Sequence, residues 1–303
     1  MEKTGNVKIL LFLSPGLVFI VIFFVIPAIM TVAMSFTGMD YRLKWDFIGA
    51  ANFYKITRDF LIPKIVSNTA IYVIGTLATF NLTLSLILAI FTTTIGRKSG
   101  VFYRAVWLLP RFTPPIVYGT MWFWILSPTE NGLFNMILST LGLQSVNWLI
   151  DYPLLSIVMI NGFIGTSLGM LIFSSAIESI PENYMRAARV DGASWFQEVI
   201  YIIIPMIRWP LLFLLAYNSL SLLTSYEYIM IVTNGGPFYA SEVWALYAYH
   251  QAFSSGQSST SFQFGYGAAL SVFLVVIGTI ASILYWRVFK FKAMMKEPKI
   301  EIY

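Results

Sequence analysis

Six long apolar runs alternate with shorter polar stretches along the chain, at about 9–36, 66–95, 102–126, 154–177, 206–232 and 264–289. As a helix, each is long enough to cross a hydrocarbon core, which takes about 20 residues. The pattern predicts an all-α membrane protein with six transmembrane helices in one domain covering 1–303. The first run is interrupted by Pro15 and Pro27, and neighbouring helices can accommodate such prolines. It is too long for the apolar core of a signal peptide, and we read it as a retained anchor. The fourth carries Gly162, Gly165 and Gly169, giving thin faces for close helix packing.

One polar stretch in the middle of the chain breaks this rhythm. Pro181 to Pro205 contains Arg186, Arg189, Asp191 and Glu198 between two apolar runs, and each of these is costly in hydrocarbon. Local signals predict two short helices with a bend. Ser179 and Glu182 have capping-box spacing around Pro181, Gly192 permits a turn, and Ser194 with Gln197 repeats the capping-box spacing. Tyr184, Ala187 and Ala188 fall on one side of the first helix, where small residues let another surface approach. The plain alternative is an ordinary loop resting on the membrane surface.

Basic residues orient the spans. An N-terminus on the cytoplasmic side groups Lys3, Lys8, Arg97, Lys98, Arg104, Arg186, Arg189, Arg208, Arg287 and the lysines after 289 together, following the positive-inside rule. The opposite side keeps Arg42, Lys44, Lys55, Arg58 and Lys64, while its two later loops, 127–152 and 233–263, contain no Lys or Arg. Both termini are thus expected to be cytoplasmic, and the 181–205 loop with them. Composition agrees: 58% of residues are hydrophobic and 11% charged, far from the quarter charged of an average soluble domain, and mean hydropathy is +0.75. The net charge of +5 would point to nucleic acid in a soluble protein. Here basic span flanks account for it, and no nucleic-acid partner is expected.

Candidate chemistry is sparse. No cysteine is present and His250 is the single histidine, so neither a thiolate site nor a histidine cluster is available, and no metal or cofactor is expected. No G-x-x-x-x-G-K-[ST] phosphate loop occurs, so this chain does not cradle ATP itself. What remains is an intramembrane polar lining: Asn161, Thr166 and Ser167 in the fourth run, and Tyr217, Asn218, Ser221, Thr224, Ser225, Tyr226 and Glu227 in the fifth. Asn218, Ser221 and Ser225 recur at helical spacing and form one stripe. Interhelical hydrogen bonding is the plain role for any one of them. Amides and hydroxyls beside aromatic rings also match what a sugar requires. Arg111 is the sharper signal. It lies well inside the third run among Pro110, Pro114 and Pro115, where it must face water, a ligand or a carboxylate such as Glu227.

The loop also carries a family resemblance. Ala187-Ala188, Gly192, nine residues, then Ile202-x-Ile204-Pro205 resembles the EAA-x3-G-x9-I-x-L-P loop of binding-protein-dependent ABC importer permeases. The fuller string AARVDGASWFQEVIYIIIP is most similar to the sugar-uptake branch. FIGAANFYKI, the proline-rich third run, NGLFNMILSTLGL with WLIDYPLLS, and Thr233-Asn234-Gly235-Gly236-Pro237 extend the likeness over nearly the whole chain. Two positions depart from the family: Arg186 stands where Glu is usual, and Ile204 where Leu is usual. The resemblance implies the type I importer permease fold in a prokaryotic cytoplasmic membrane. It also implies a second related permease, two ATPase subunits that bind ATP and Mg, and an extracytoplasmic solute-binding protein. Tyr184, Arg186, Ala187, Ala188, Asp191 and Gly192 would then contact the ATPase. Arg111, Asn161, Tyr217, Asn218, Ser221, Ser225 and Glu227 would line half of the substrate pathway, for a sugar, an oligosaccharide or a polyol phosphate. The rival readings are a secondary transporter, for which only Glu227 offers an intramembrane carboxylate, and a membrane enzyme, for which catalytic groups are lacking.

Overall fold

The computed structural model describes residues 12–129, 131–253 and 262–289. Regular structure among them is helical, apart from one isolated bridge between Thr37 and Phe47. In chain order the helices are α1 (Phe12–Ser35), α2 (Ala51–Arg58), α3 (Ile62–Thr94), α4 (Arg97–Phe112), α5 (Pro115–Ile125), α6 (Leu133–Thr140), α7 (Trp148–Asp151) and α8 (Pro153–Glu178). They continue with α9 (Glu182–Val190), α10 (Trp195–Met206), α11 (Arg208–Thr224), α12 (Glu227–Val232), α13 (Trp244–Phe253) and α14 (Phe264–Val288). Four of these, α1, α3, α8 and α14, are each long and apolar enough to cross a membrane, and the pair α10–α11 makes a fifth candidate with a bend of 68°. The lysines expected at the two termini lie outside the described residues.

Two of the predicted spans are broken rather than straight. The run at 102–126 divides into α4 and α5 at Thr113–Pro114. Pro114 forces the preceding residue out of the helical region, and Thr113 is extended at φ −76°, ψ 131°, while Pro115 has the fixed φ that suits a first helical position. The run at 206–232 starts earlier than expected, at Trp195, turns at Ile207 and breaks again at Ser225–Tyr226 before α12. Ile207 sits between Pro205 and Pro210, neither of which can donate a backbone hydrogen bond. Within α3, residues Thr76–Leu84 form a π-helical stretch, a widening often found at functional positions.

The chain divides into two compact units. In the first, Met1–Ile62 with Tyr247–Val276, the Asn52 amide donates to the carbonyls of Ser35 (2.9 Å) and Thr37 (2.8 Å), fastening α2 to the end of α1. Asp59 accepts hydrogen bonds from the hydroxyls of Tyr247 and Tyr266. His250, expected as a packing or loop residue, is buried on α13.

In the second unit, Pro63–Leu246 with Ile277–Tyr303, α8 is the centre. Its neighbours α3, α11 and α12 close an apolar core around Tyr72, Ile157, Val158, Leu222 and Ile229. A second core of Ile90, Phe173, Val199, Ile203, Ile207 and Leu214 lies between α3, α8, α10 and α11. The glycines of α8 make the approach of α3 possible. A Cβ on Gly162 would lie 2.3 Å from Phe80, one on Gly165 2.3 Å from Asn81, and one on Gly169 2.4 Å from Ser85 and 2.8 Å from the Asn81 carbonyl. Two polar contacts stitch the same seam, as Ser85 donates to the Thr166 carbonyl (2.9 Å) and Thr166 to that of Phe80 (3.3 Å).

Gly169→Val is therefore expected to lower stability by about 1–3 kcal/mol through overpacking, read as a lower melting temperature in detergent. Gly96→Ala, where an added Cβ meets nothing within 4 Å, is the control and should change stability by less than about 0.5 kcal/mol. Equal melting of the two variants would show that the α3–α8 seam yields more easily than its geometry implies.

Candidate functional site

The loop after α8 is built as predicted at its bend and differently at its start. Helix α9 ends in a Schellman closure: the Ala193 N–H donates to the Ala188 carbonyl (2.9 Å) and the Gly192 N–H to that of Arg189 (3.1 Å). Gly192 takes φ +79° to do so, a left-handed conformation that a Cβ opposes. The expected capping box of α10 is present, with the Ser194 N–H donating to Gln197 Oε1 (2.7 Å) and the Gln197 N–H to Ser194 Oγ (3.4 Å). The other expected box, Ser179 with Glu182, is not formed. Helix α9 begins at Glu182 with Pro181 in the cap position, so Ser179 is two residues too early. Its hydroxyl donates back to the Ala176 carbonyl (2.7 Å).

Two ion pairs occupy the charges of this loop. Arg189 on α9 binds Glu198 on α10, with Nε donating to Oε1 at 2.9 Å and a guanidinium nitrogen to Oε2 at 3.4 Å. Glu198 is buried, so the pair clamps the two helices together. Arg186 binds Glu182 one turn away at 2.6 Å, with both side chains exposed. The adjacent guanidinium holds the Glu182 carboxyl below its usual range. Tyr184, Arg186, Ala187, Asp191 and Gly192 are exposed and Ala188 is half-buried. Val190, Trp195 and Phe196 add large apolar surface that is 86%, 51% and 69% exposed. Exposed apolar side chains thus lie beside the charged residues Glu182, Arg186 and Arg189 of α9. Just before the loop, Glu178 at the end of α8 pairs with Arg104 on α4 (2.7 Å).

Within the second unit lies a cavity of about 300 Å³. Six of the seven residues expected in a pathway line it: Arg111, Asn161, Tyr217, Asn218, Ser221 and Ser225. Glu227 does not. It lies beyond the break at Ser225–Tyr226, is exposed, and makes no ion pair with Arg111. Thr166 and Ser167 are also outside the cavity, each buried and donating to a carbonyl of α8 itself, Gly162 (2.8 Å) and Ile164 (2.7 Å). Asn81 and Tyr228 line the cavity and were not among the expected residues. An amide flanked by Phe80 and Leu82 in an apolar run was the available signal for Asn81, because such a group is expensive in lipid.

The lining has two kinds of polar group. Asn161 donates to Ser225 Oγ (2.9 Å) and to the Tyr72 hydroxyl, which itself lies 3.3 Å from Ser225 Oγ. This triad joins α3, α8 and the end of α11, so Asn161 and Ser225 contribute packing as well as lining. Asn81 Oδ1 and Asn218 Nδ2 are buried with no hydrogen-bond partner. Such groups are costly unless something arrives to meet them. The helix break at Ser225 and the π-helical stretch around Asn81 deliver these groups to one place. The described residues hold no cluster able to bind a metal ion.

Comparison with known proteins places this geometry. Over 96% of its length the chain is 28% identical to the trehalose/maltose transport system permease protein MalF of Thermococcus litoralis, covering 95% of that protein. It is 29% identical to the sn-glycerol-3-phosphate transport system permease protein UgpA of Agrobacterium fabrum, over 88% of this chain and 89% of that one. Its fold matches a chain of the bacterial alginate ABC transporter crystallised with an alginate-bound periplasmic protein, with TM-score 0.79, 19% identity and 94% of each chain covered. Residues 102–290 match the family described as the binding-protein-dependent transport system inner membrane component. With its multi-pass apolar helices, glycine-turned loop and polar cavity, the chain belongs to that family.

Proposed function

We propose that this chain is the permease subunit of an ATP-driven importer and forms half of the pathway for a sugar or oligosaccharide handed over by an extracytoplasmic binding protein. The observation that carries the reading is the continuity of α10 and α11. One end of this bent rod is clamped to α9 in the exposed loop, and the other carries Asn218 and Ser221 into the cavity. Motion imposed on the loop is thereby delivered to the lining. In this reading the loop is cytoplasmic, as are both termini, and it seats on one of two ATPase subunits that perform the hydrolysis. A second permease completes the pathway. Closure of the ATPases displaces the loops and switches the cavity between outward and inward access by rigid-body movement of packed helices. Relatives named for trehalose/maltose and for sn-glycerol-3-phosphate support a carbohydrate or polyol class of solute.

Arg186 bears on the docking. Its exposed pair with Glu182 is of a kind that contributes little to stability, so the guanidinium is available to exchange Glu182 for an acidic group or carbonyl on the ATPase.

Two outcomes are expected. Gly192→Val forces a β-branched residue into a left-handed conformation, at a cost of about 1–2 kcal/mol or more. ATP hydrolysis by the reconstituted complex should persist while uptake falls by about tenfold or more. Wild-type uptake with substrate-stimulated hydrolysis would contradict a coupling role. In the cysteine-free background, single cysteines at Asn218, Ser221 and Ser225 should react with membrane-impermeant thiol reagents at rates that differ between the ATP-bound and nucleotide-free complex. Labelling by lipid-soluble reagents alone would make the stripe a packing surface.

A further inference from the structure

Among the described residues, Arg111 is the only charged one lining the cavity. It forms no ion pair among the described residues, and the one carboxylate expected for it, Glu227, lies outside the lining. Arg111 is exposed at the cavity, and within a membrane-spanning segment its charge is expensive without an anion or water. Hydroxyl groups of a neutral sugar satisfy its donors but leave its charge uncompensated. A carboxylate or phosphate does both, through two parallel charge-assisted hydrogen bonds that match the fork of the side chain.

The two orphaned asparagine atoms point the same way. Asn218 Nδ2 is a buried donor without an acceptor, on the same cavity as the guanidinium. Asn81 Oδ1 is a buried acceptor without a donor. The unmet groups of the cavity are therefore the Arg111 guanidinium, one amide donor and one amide acceptor suited to a hydroxyl. Asn161 and Ser225 are already engaged with Tyr72 and add fewer unmet demands.

We infer that the solute is a hydroxylated anion, a sugar or polyol bearing a carboxylate or phosphate, and that Arg111 is the residue that selects for its charge. This rests on the importer reading above and narrows the solute class within it.

The test uses the complete transporter, with both permeases and the ATPases, in proteoliposomes with its own binding protein outside and ATP within. Three radiolabelled probes are offered: digalacturonate, sn-glycerol 3-phosphate and maltose. One of the two anions should enter at least about tenfold faster than maltose, a difference of about 1.4 kcal/mol. Which anion enters separates the carboxylate source from the phosphate source. Arg111→Gln should lower uptake of that anion by about tenfold or more at unchanged complex yield, with Arg111→Lys intermediate because a point charge replaces the fork. Maltose entering as fast as both anions, entry of neither anion, or an Arg111→Gln variant that still prefers the anion would each overturn the inference. The probe comparison in the wild-type complex stands even where a variant fails to assemble. ATP-dependent uptake of maltose alone would leave the importer reading intact while removing the anion. Uptake independent of ATP would remove the importer reading itself.

Discussion

The structure depends on one constraint: in hydrocarbon, a backbone amide or carbonyl that leaves its helix must find another partner. Interruptions are therefore expensive, and among the described residues three of them converge, while the bend at Ile207 and the π-helical turns at Val21–Val25 and Val199–Ile203 lie elsewhere. The π-helical stretch of α3 contains Asn81, the α4–α5 break follows Arg111 by two residues, and the α11–α12 break falls at Ser225. All three residues line one cavity. Irregular backbone at membrane depth is tolerated where it faces protein or a water-filled space. The placing of the breaks thus marks the space as surely as the polar side chains do.

The loop follows a different logic, that of rigidity at a surface. A Schellman closure, a capping box and a partly buried ion pair all act across the same bend. A capping interaction contributes about 1 kcal/mol, and the exposed Arg186–Glu182 pair less. The closure and the cap fix backbone directions, which the ion pair alone cannot do. The outer face is left to Tyr184, Val190, Trp195 and Phe196, all of them exposed.

Much of this was legible in the sequence, unevenly so. Four of the predicted runs coincide with single helices long and apolar enough to cross a membrane, because the bilayer sets that length. The bend at Gly192 and the Ser194 cap were legible because local chemistry alone decides them. The Ser179 cap was misjudged because Pro181, two residues later, took the cap position, and one helix start has a single cap. Breaks within spans were less visible. Pro114 and Pro115 announced one, but nothing local to Ser225 announces the other, which tertiary packing against Tyr72 and Asn161 decides. Asn161, Asn218 and Ser221 were found by their stripe and their cost in lipid. Glu227 was placed by continuing a helix that the structure ends two residues earlier, at Ser225. Asn81 was passed over because a lone amide in an apolar run has no periodic companion.

The bend at Ile207 gives the α10 segment the proportions of a crank. From Trp195 to Met206 it has twelve residues, about 18 Å at the helical rise. Tilting an arm of that length by about 10° carries its far end through about 3 Å, roughly the reach of one hydrogen bond. In the proposed coupling role, Arg189–Glu198 would fasten the handle and the packed Ile207 would be the pivot, so a movement of that size at the loop corresponds to a small rotation where α10 meets α11. The gain of the device is set by the spacing between clamp and pivot. Inserting or deleting a turn there would alter the stroke without touching either end.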